Sequence, residues 1–210
     1  MILHSRLLQR FPWVEHGFGT RLATVSQDQM ASLRQIHSAV PLRADRAPGC
    51  VGSGDALLTN RAGVGLSIRT ADCFPILLAD PTRRVVAAVH AGWRGAADGI
   101  APATLDKMSA EFGTDPAHVH AAIGPGIGVC CYQVGVEVAR RFGQNRAGRL
   151  DLAEENRRQL VQAGVPESQI ENLNLCTRCD PARFHSWRRD QQAAGRMISF
   201  IRLRAVPLTP

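Results

Sequence analysis

Val85-Val-Ala-Ala-Val-His90 is the segment that most restricts what this chain can become. It is a short, continuously apolar run of the kind that forms a strand covered on both faces. Around it, strand and helix signals alternate. Gly63 to Cys73 reads as a strand, and Phe74 to Ala79 continues as a second apolar run after a break at Pro75. Gly92-Trp-Arg-Gly95 reads as a turn, followed by a helix with Ile100, Thr104, Met108 and Phe112 on one face and Pro102 early enough for its first turn. Val119 to Ile123 is another strand, ending in the loop Gly124-Pro-Gly-Ile-Gly128, and Val134 to Phe142 reads as helical. Asp151 is an expected N-cap with Glu154 reaching back to it, and Gly164 the residue past that helix's end. Asp180-Pro181 reads as the start of a short helix through Phe184 and Trp187, and Arg196 to Arg204 as a closing strand. Buried strands interleaved with helices, without a low-complexity linker, argue for a single mixed α/β layered domain over 1–210.

Composition removes several classes of function. No apolar run approaches the roughly 20 residues of a membrane span, and the first ten residues lack the apolar core and cleavage site of a signal peptide. A soluble, cytoplasmic protein is expected. The net charge is +7, but lysine occurs only at Lys107 and the arginines are dispersed, as at Arg83-Arg84 and Arg140-Arg141. With aromatic residues at 5%, there are few platforms for stacking on single strands, so no nucleic-acid partner is expected. A few arginines binding phosphate on a small substrate fit better. The six cysteines are expected as reduced thiols. Cys176-Thr-Arg-Cys179 is the lone CxxC; a zinc ribbon needs a second pair, which the adjacent Cys130-Cys131 is not expected to supply. Cys176 and Cys179 are read as ordinary cysteines in a turn.

The chemistry concentrates elsewhere. His37, Cys73 and His90 each sit where a buried strand gives way to a turn. Two imidazoles and a thiolate are a set that zinc accepts with its fourth position left to water or substrate. Their separations of 36 and 17 residues form no compact finger, so the fold itself must assemble any such site.

Whole segments carry a resemblance. His16-Gly-Phe-Gly-Thr-Arg21, Gln35-Ile-His37, Gly54-Asp-Ala-Leu-Leu-Thr59, Thr70-Ala-Asp-Cys-Phe-Pro75 and His90-Ala-Gly-Trp-Arg-Gly95 are joined by Ile123-Gly-Pro-Gly-Ile-Gly128, Tyr132-Gln-Val-Gly135, Cys176-Thr177, Ser186-Trp-Arg-Arg-Asp190 and Gly195-Arg-Met197. By these the chain resembles the multicopper-polyphenol-oxidase-like, or laccase-domain, family of purine-nucleoside-metabolising proteins. The resemblance implies an α/β/β/α sandwich, zinc ligands at His37, Cys73 and His90, and phosphorolysis of adenosine, inosine and methylthioadenosine with hydrolytic deamination of adenosine. The chain departs from the family in a shortened segment between Arg21 and Arg34, and in Trp187, where tyrosine is common.

Cys73, His90 and Arg94 are the expected catalytic residues; Gln35, Asp72, Arg94 and Arg188 are the expected substrate contacts. Arg94 stands beside the His90 turn, where a guanidinium can hold phosphate or a ribose oxygen. Asp72 fits either an acid/base or a structural carboxylate, and the Gly124–Gly128 loop either an anion cradle or a simple turn. Purine nucleosides and phosphate are the expected partners, in a monomer or homodimer. Zinc is the expected cofactor and copper a possible one, since two His and one Cys also match a blue-copper site. Copper-dependent polyphenol oxidation is disfavoured: the chain has seven histidines and one His-x-His pair, His118-Val-His120, expected at a solvent-facing edge. The cytidine-deaminase signature is absent too, because there is no His-x-Glu and Leu175 precedes the CxxC. The rival from another class is a cysteine hydrolase, Cys73 with His90 as base, consistent with the family's link to peptidoglycan-precursor editing.

Overall fold

In the computed structural model, residues 1–205 are described; the end of the expected domain, 206–210, lies outside them. Two six-stranded sheets of mixed direction pack face to face. In spatial order the first runs Ile2–Leu3, Val14–Gly19, Met197–Leu203, Gly65–Thr70, Ala31–Arg34 and Gly49–Ser53. The second runs Ile170–Asn172, His120–Ile123, Phe74–Asp80, Val85–Ala91, Ala56–Thr59 and Pro41–Arg43.

Phe74–Asp80 and Val85–Ala91 are buried along their whole length because the second sheet has something on each face. Leu57, Leu77, Ala79, Val86 and Ala88 point towards Phe18, Leu66, Ile68 and Ile201 of the first sheet, forming the core between the sheets. Their alternates Leu58, Ile76, Leu78, Ala87 and Val89 pack under helices, as the two-residue period of a strand requires. Those helices are α1 (Trp93–Ala97), α2 (Ile100–Phe112), α3 (Val136–Arg140) and α4 (Leu152–Gln162). The outer face of the first sheet has a thinner cover: Gln27, in a 3₁₀ turn, donates from Nε2 to the buried Ser67 Oγ at 3.0 Å. The mixed α/β class with two packed sheets is therefore present, with its helices gathered mainly over one sheet.

Several local expectations change. Pro75 does not break its run, because its missing N–H falls at the strand's start, where the neighbouring strand has already ended; Gly124 N–H donates to the Pro75 carbonyl at 2.8 Å. Trp93 to Ala97 is a helical turn rather than an open one, with Ala96 N–H donating to Gly92 carbonyl oxygen at 2.8 Å. The helix expected from Val134 shrinks to α3, since Gln133–Val134 pairs with Gly148–Arg149. Asp151 caps α4 by accepting the Glu154 N–H at 3.0 Å, but the Glu154 side chain turns to Arg157 instead of reaching back. Asp180 accepts from Arg183 N–H without starting a helix; α5 (Trp187–Asp190) begins later, capped by Ser186. His118 lies in a 3₁₀ turn and only His120 is in the strand, so strand alternation does not relate them.

Candidate functional site

The site grows from the register of the second sheet. Val85–Ala91 pairs with Phe74–Asp80 so that Pro75 faces His90, which brings Cys73, two residues before Pro75, beside the open end of the hairpin. On its other side the same strand pairs with Ala56–Thr59, and His90 N–H donates to the Asp55 carbonyl at 2.7 Å. Asp55 is fully buried. Its carboxylate accepts from the N–H of Ile36, His37 and Ser38 at 3.3, 3.0 and 2.6 Å and from Ser38 Oγ at 2.8 Å. That grip holds His37 in the left-handed region (φ 59°), a conformation costly for a residue with a side chain. The third donor is thus delivered by a turn wrapped around one carboxylate.

The ligating atoms of His37, Cys73 and His90 lie within 4.8 Å of one another. The two imidazoles meet edge to face, 4.9 Å between centroids. Gly92 must lack a side chain here: a Cβ would stand 2.8 Å from Cys73 Sγ and 3.2 Å from His37 Cδ2. His90 is buried, Cys73 half-buried and His37 exposed, so the group opens on one side.

Electrostatics follow from this packing. Burial alone would raise the Asp55 pKa, but hydrogen bonds from His90 and Ser38 outweigh it and hold the carboxyl at about 2. Asp55 Oδ1 lies 2.8 Å from His90 Nδ1. This is the carboxylate–histidine pair that fixes a ring's tautomer and leaves Nε2 for a metal or proton. Burial raises the Cys73 pKa, yet the neighbouring imidazoles, His90 foremost, draw the thiol down to about 6. Burial lowers His90, and the Cys73 thiolate and Asp55 reverse that and lift it to about 9. Without a metal, then, the pair favours thiolate and imidazolium.

This group forms the floor of a cavity of about 1050 Å³. All four expected substrate contacts line it, with differing freedom. Arg94, in the first turn of α1, is exposed and stacks its guanidinium 4.3 Å from the Trp93 ring centroid. Arg188 donates from Nη1 to the Gln133 carbonyl at 2.8 Å and lies over Tyr132. The Gln35 carboxamide is engaged with the Arg69 backbone, donating at 2.8 Å and accepting at 2.9 Å. Asp72, with φ 84°, turns its carboxylate to Thr177 Oγ1 (2.6 Å), Ser186 Oγ (3.1 Å) and the Arg188 N–H (2.6 Å). It ties the 177–188 segment to the floor and has little capacity left for acid/base work. Arg189 is likewise occupied, donating to the carbonyls of Thr177, Arg178 and Phe184.

The Gly124–Gly128 loop is a turn: the N–H groups of Gly124, Gly126 and Ile127 donate to Pro75, Leu175 and Asp72 carbonyls, leaving no anion cradle. Sequence reasoning missed Asp55, although the Gly54-Asp55 pair preceding a wholly apolar strand was a signal. It also missed Arg69, Arg196, Trp93, Tyr132 and Trp187 on the cavity wall. Between 22 and 34, the segment expected to be shortened, no residue lines the cavity.

The structure corrects one part of the CxxC reading, that Cys130-Cys131 would not supply a second pair. Sγ atoms of Cys130, Cys131, Cys176 and Cys179 lie within 4.8 Å of one another, so the adjacent pair does meet the CxxC. All six cysteines are free thiols.

Against known proteins, the family described as multi-copper polyphenol oxidoreductase laccase matches residues 18–204. The purine nucleoside phosphorylase of Deinococcus radiodurans is 41% identical over 182 residues, 84% of this chain and 71% of that protein. Purine nucleoside phosphorylase YlmD of Bacillus subtilis is 31% identical over 211 residues, 94% of this chain and 72% of that one. Among solved structures, the hypothetical protein YfiH of Bacillus licheniformis superposes with a TM-score of 0.87 at 30% identity, covering 93% of this chain and 95% of that chain.

Proposed function

The chain belongs to the multi-copper polyphenol oxidoreductase laccase family, and on that premise we propose that it is a zinc-dependent purine nucleoside phosphorylase. Its substrates are adenosine, inosine and methylthioadenosine, cleaved to base and sugar 1-phosphate, with hydrolytic deamination of adenosine as a second activity. The observation that carries the reading is the open three-donor group at the floor of a cavity walled by arginines and aromatic rings.

The donors suit zinc: a thiolate already favoured at neutral pH, an imidazole whose Nδ1 is held by Asp55, and a second imidazole on the open side. His37, Cys73 and His90 would hold the ion, which would supply Lewis acidity when bound. Asp55 keeps His90 oriented and in one tautomer throughout. Arg69, Arg94, Arg188 and Arg196 bring positive charge to the wall, where Arg94, three residues past the His90 strand and exposed, binds phosphate. Trp93, Tyr132 and Trp187 offer flat faces for a purine, and Trp187 is 44% exposed at the rim.

Oxygen reduction by copper lacks support in the donor inventory, since this is the one histidine-containing group with metal-ligand spacing among the described residues. The cysteine-hydrolase reading has an observation in its favour, the lowered Cys73 pKa beside a raised His90. One experiment separates them: nucleosides are incubated with and without phosphate, using zinc-loaded and chelator-stripped enzyme, and products are read by mass spectrometry. Phosphate-dependent base release that disappears on stripping is expected; undiminished turnover by metal-free enzyme sinks the proposal.

A further inference from the structure

We propose that Cys130, Cys131, Cys176 and Cys179 form a second, closed zinc site that clamps the cavity wall. Two loops distant in sequence supply it. Cys130 and Cys131 lie in the turn after Gly128, where Cys131 and Tyr132 N–H groups both donate to the Gly128 carbonyl at 2.9 and 3.0 Å. In a strand, adjacent side chains point to opposite faces; this turn bends both thiols to the same side. Cys176 and Cys179 come from the segment anchored to Gly126 by a parallel bridge, Thr177 N–H donating to the Gly126 carbonyl at 2.9 Å.

The spacing fits a single four-coordinate ion and separates it from a disulfide or a multinuclear cluster. Zinc–sulfur bonds of about 2.3 Å in a tetrahedron put sulfurs about 3.8 Å apart. Cys179 Sγ lies 3.6 Å from Cys130 Sγ and 3.3 Å from Cys131 Sγ, and no pair in the group exceeds 4.8 Å. An iron–sulfur cluster would spread its cysteines farther, because several iron and sulfide atoms must fit between them.

The surroundings suit a thiolate cage. Gly128 N–H donates to Cys176 Sγ at 3.3 Å and Arg178 Nη1 to Cys131 Sγ at 3.6 Å. Arg149 and Arg188 line the adjoining hollow. Binding replaces the four S–H bonds with four Zn–S bonds and releases four protons, leaving a doubly negative centre that these arginines offset. With four protein donors no position stays open, which makes the role structural. What it holds together is functional: one loop leads into Tyr132 and the other into Arg188, and both residues line the large cavity.

Cys73→Ser, which lacks the other thiolate, isolates this site. That protein, expressed with zinc and analysed by inductively coupled plasma mass spectrometry, is expected to keep about one zinc per chain. Cobalt substitution should give the intense visible absorption of a tetrahedral thiolate site. Joint Cys176→Ser and Cys179→Ser replacement in the wild-type background should remove about one zinc and lower the Tm. If Cys73→Ser fails to fold, alkylation of wild type by iodoacetamide decides: zinc should shield all four cysteines until a chelator is added. A folded Cys73→Ser chain without zinc, iron in its place, four freely alkylated thiols, or recovery of these cysteines as disulfides under reducing conditions would overturn the site.

Discussion

Two thiol-containing groups stand a loop apart in this molecule and are built on opposite principles. The first combines a thiolate and an imidazole from turns, Cys73 and His37, with the His90 imidazole near a strand's end, buried on one side and open to the cavity on the other. The second gathers four thiols on two surface loops, leaving no donor position for substrate. Strand register and a carboxylate orient the first; turns and backbone bridges orient the second. An open donor set permits exchange of a ligand and hence reaction, while a closed one contributes binding energy to the fold. On the roles proposed for the two groups, the count of donors, more than their identity, separates chemistry from scaffolding.

The contrast is broken most forcefully at Cys73. Replacing it with serine should abolish phosphorolysis and remove the zinc of the open group while leaving the chain's melting transition cooperative; kinetics and metal analysis on one preparation check both. Retained phosphorolysis would show that the open group is not the reactive one.

Asp55→Asn tests whether the buried carboxylate organises the open group. It removes the anion that accepts four N–H and O–H donors and faces His90 Nδ1. A loss of about 10–100-fold in zinc affinity or kcat is expected, the size typical of removing a ligand's orienting partner. Competition with a chromophoric chelator measures the affinity, and unchanged affinity with unchanged kcat would remove Asp55 from the site.

Arg94→Ala sharpens the assignment of phosphate. Loss of one charge-assisted contact, roughly 1.5–3 kcal/mol, is about ten- to a hundredfold in rate if felt in the transition state. The kcat/KM for adenosine phosphorolysis should fall by that factor and deamination by water less. Equal losses would give Arg94 to the nucleoside or to the helix.

A buried histidine outside both groups supplies the contrast for His90. His16 is 3% exposed, and burial, aided by His4, lowers its pKa from 6.5 to about 4. The unfolded chain therefore binds more protons between those values, and stability falls as pH drops from about 6.5 towards 4, by up to about 3 kcal/mol. Denaturant titrations across that range should show a shallower acid loss in His16→Gln; identical slopes would place the effect elsewhere.

Much of the molecule was legible in the chain. Val85 to Ala91 announced a doubly covered strand because it has no polar alternation, and Asp151 and Gly164 marked the ends of α4. His37, Cys73 and His90 stood out through their flanking motifs. Asp55 was less visible: a single aspartate before an apolar strand looks like a turn residue until the five hydrogen bonds to its carboxylate are seen. Cys130-Cys131 misled for a related reason, since adjacency excludes a shared face only where the backbone is extended, and here it turns.

The sequence alone determined which segments bury themselves and which residue types are available for chemistry, because hydrophobic periodicity and donor chemistry are local properties. Tertiary structure decided which donors meet. Cross-strand register set His90 beside Cys73 and Asp55, a carboxylate forced His37 into a conformation it would not adopt alone, and two loops 45 residues apart from Cys131 to Cys176 closed around one point. Such convergence depends on pairings between distant strands and on turn geometry, whose energies come from the whole packed core and not from any one segment.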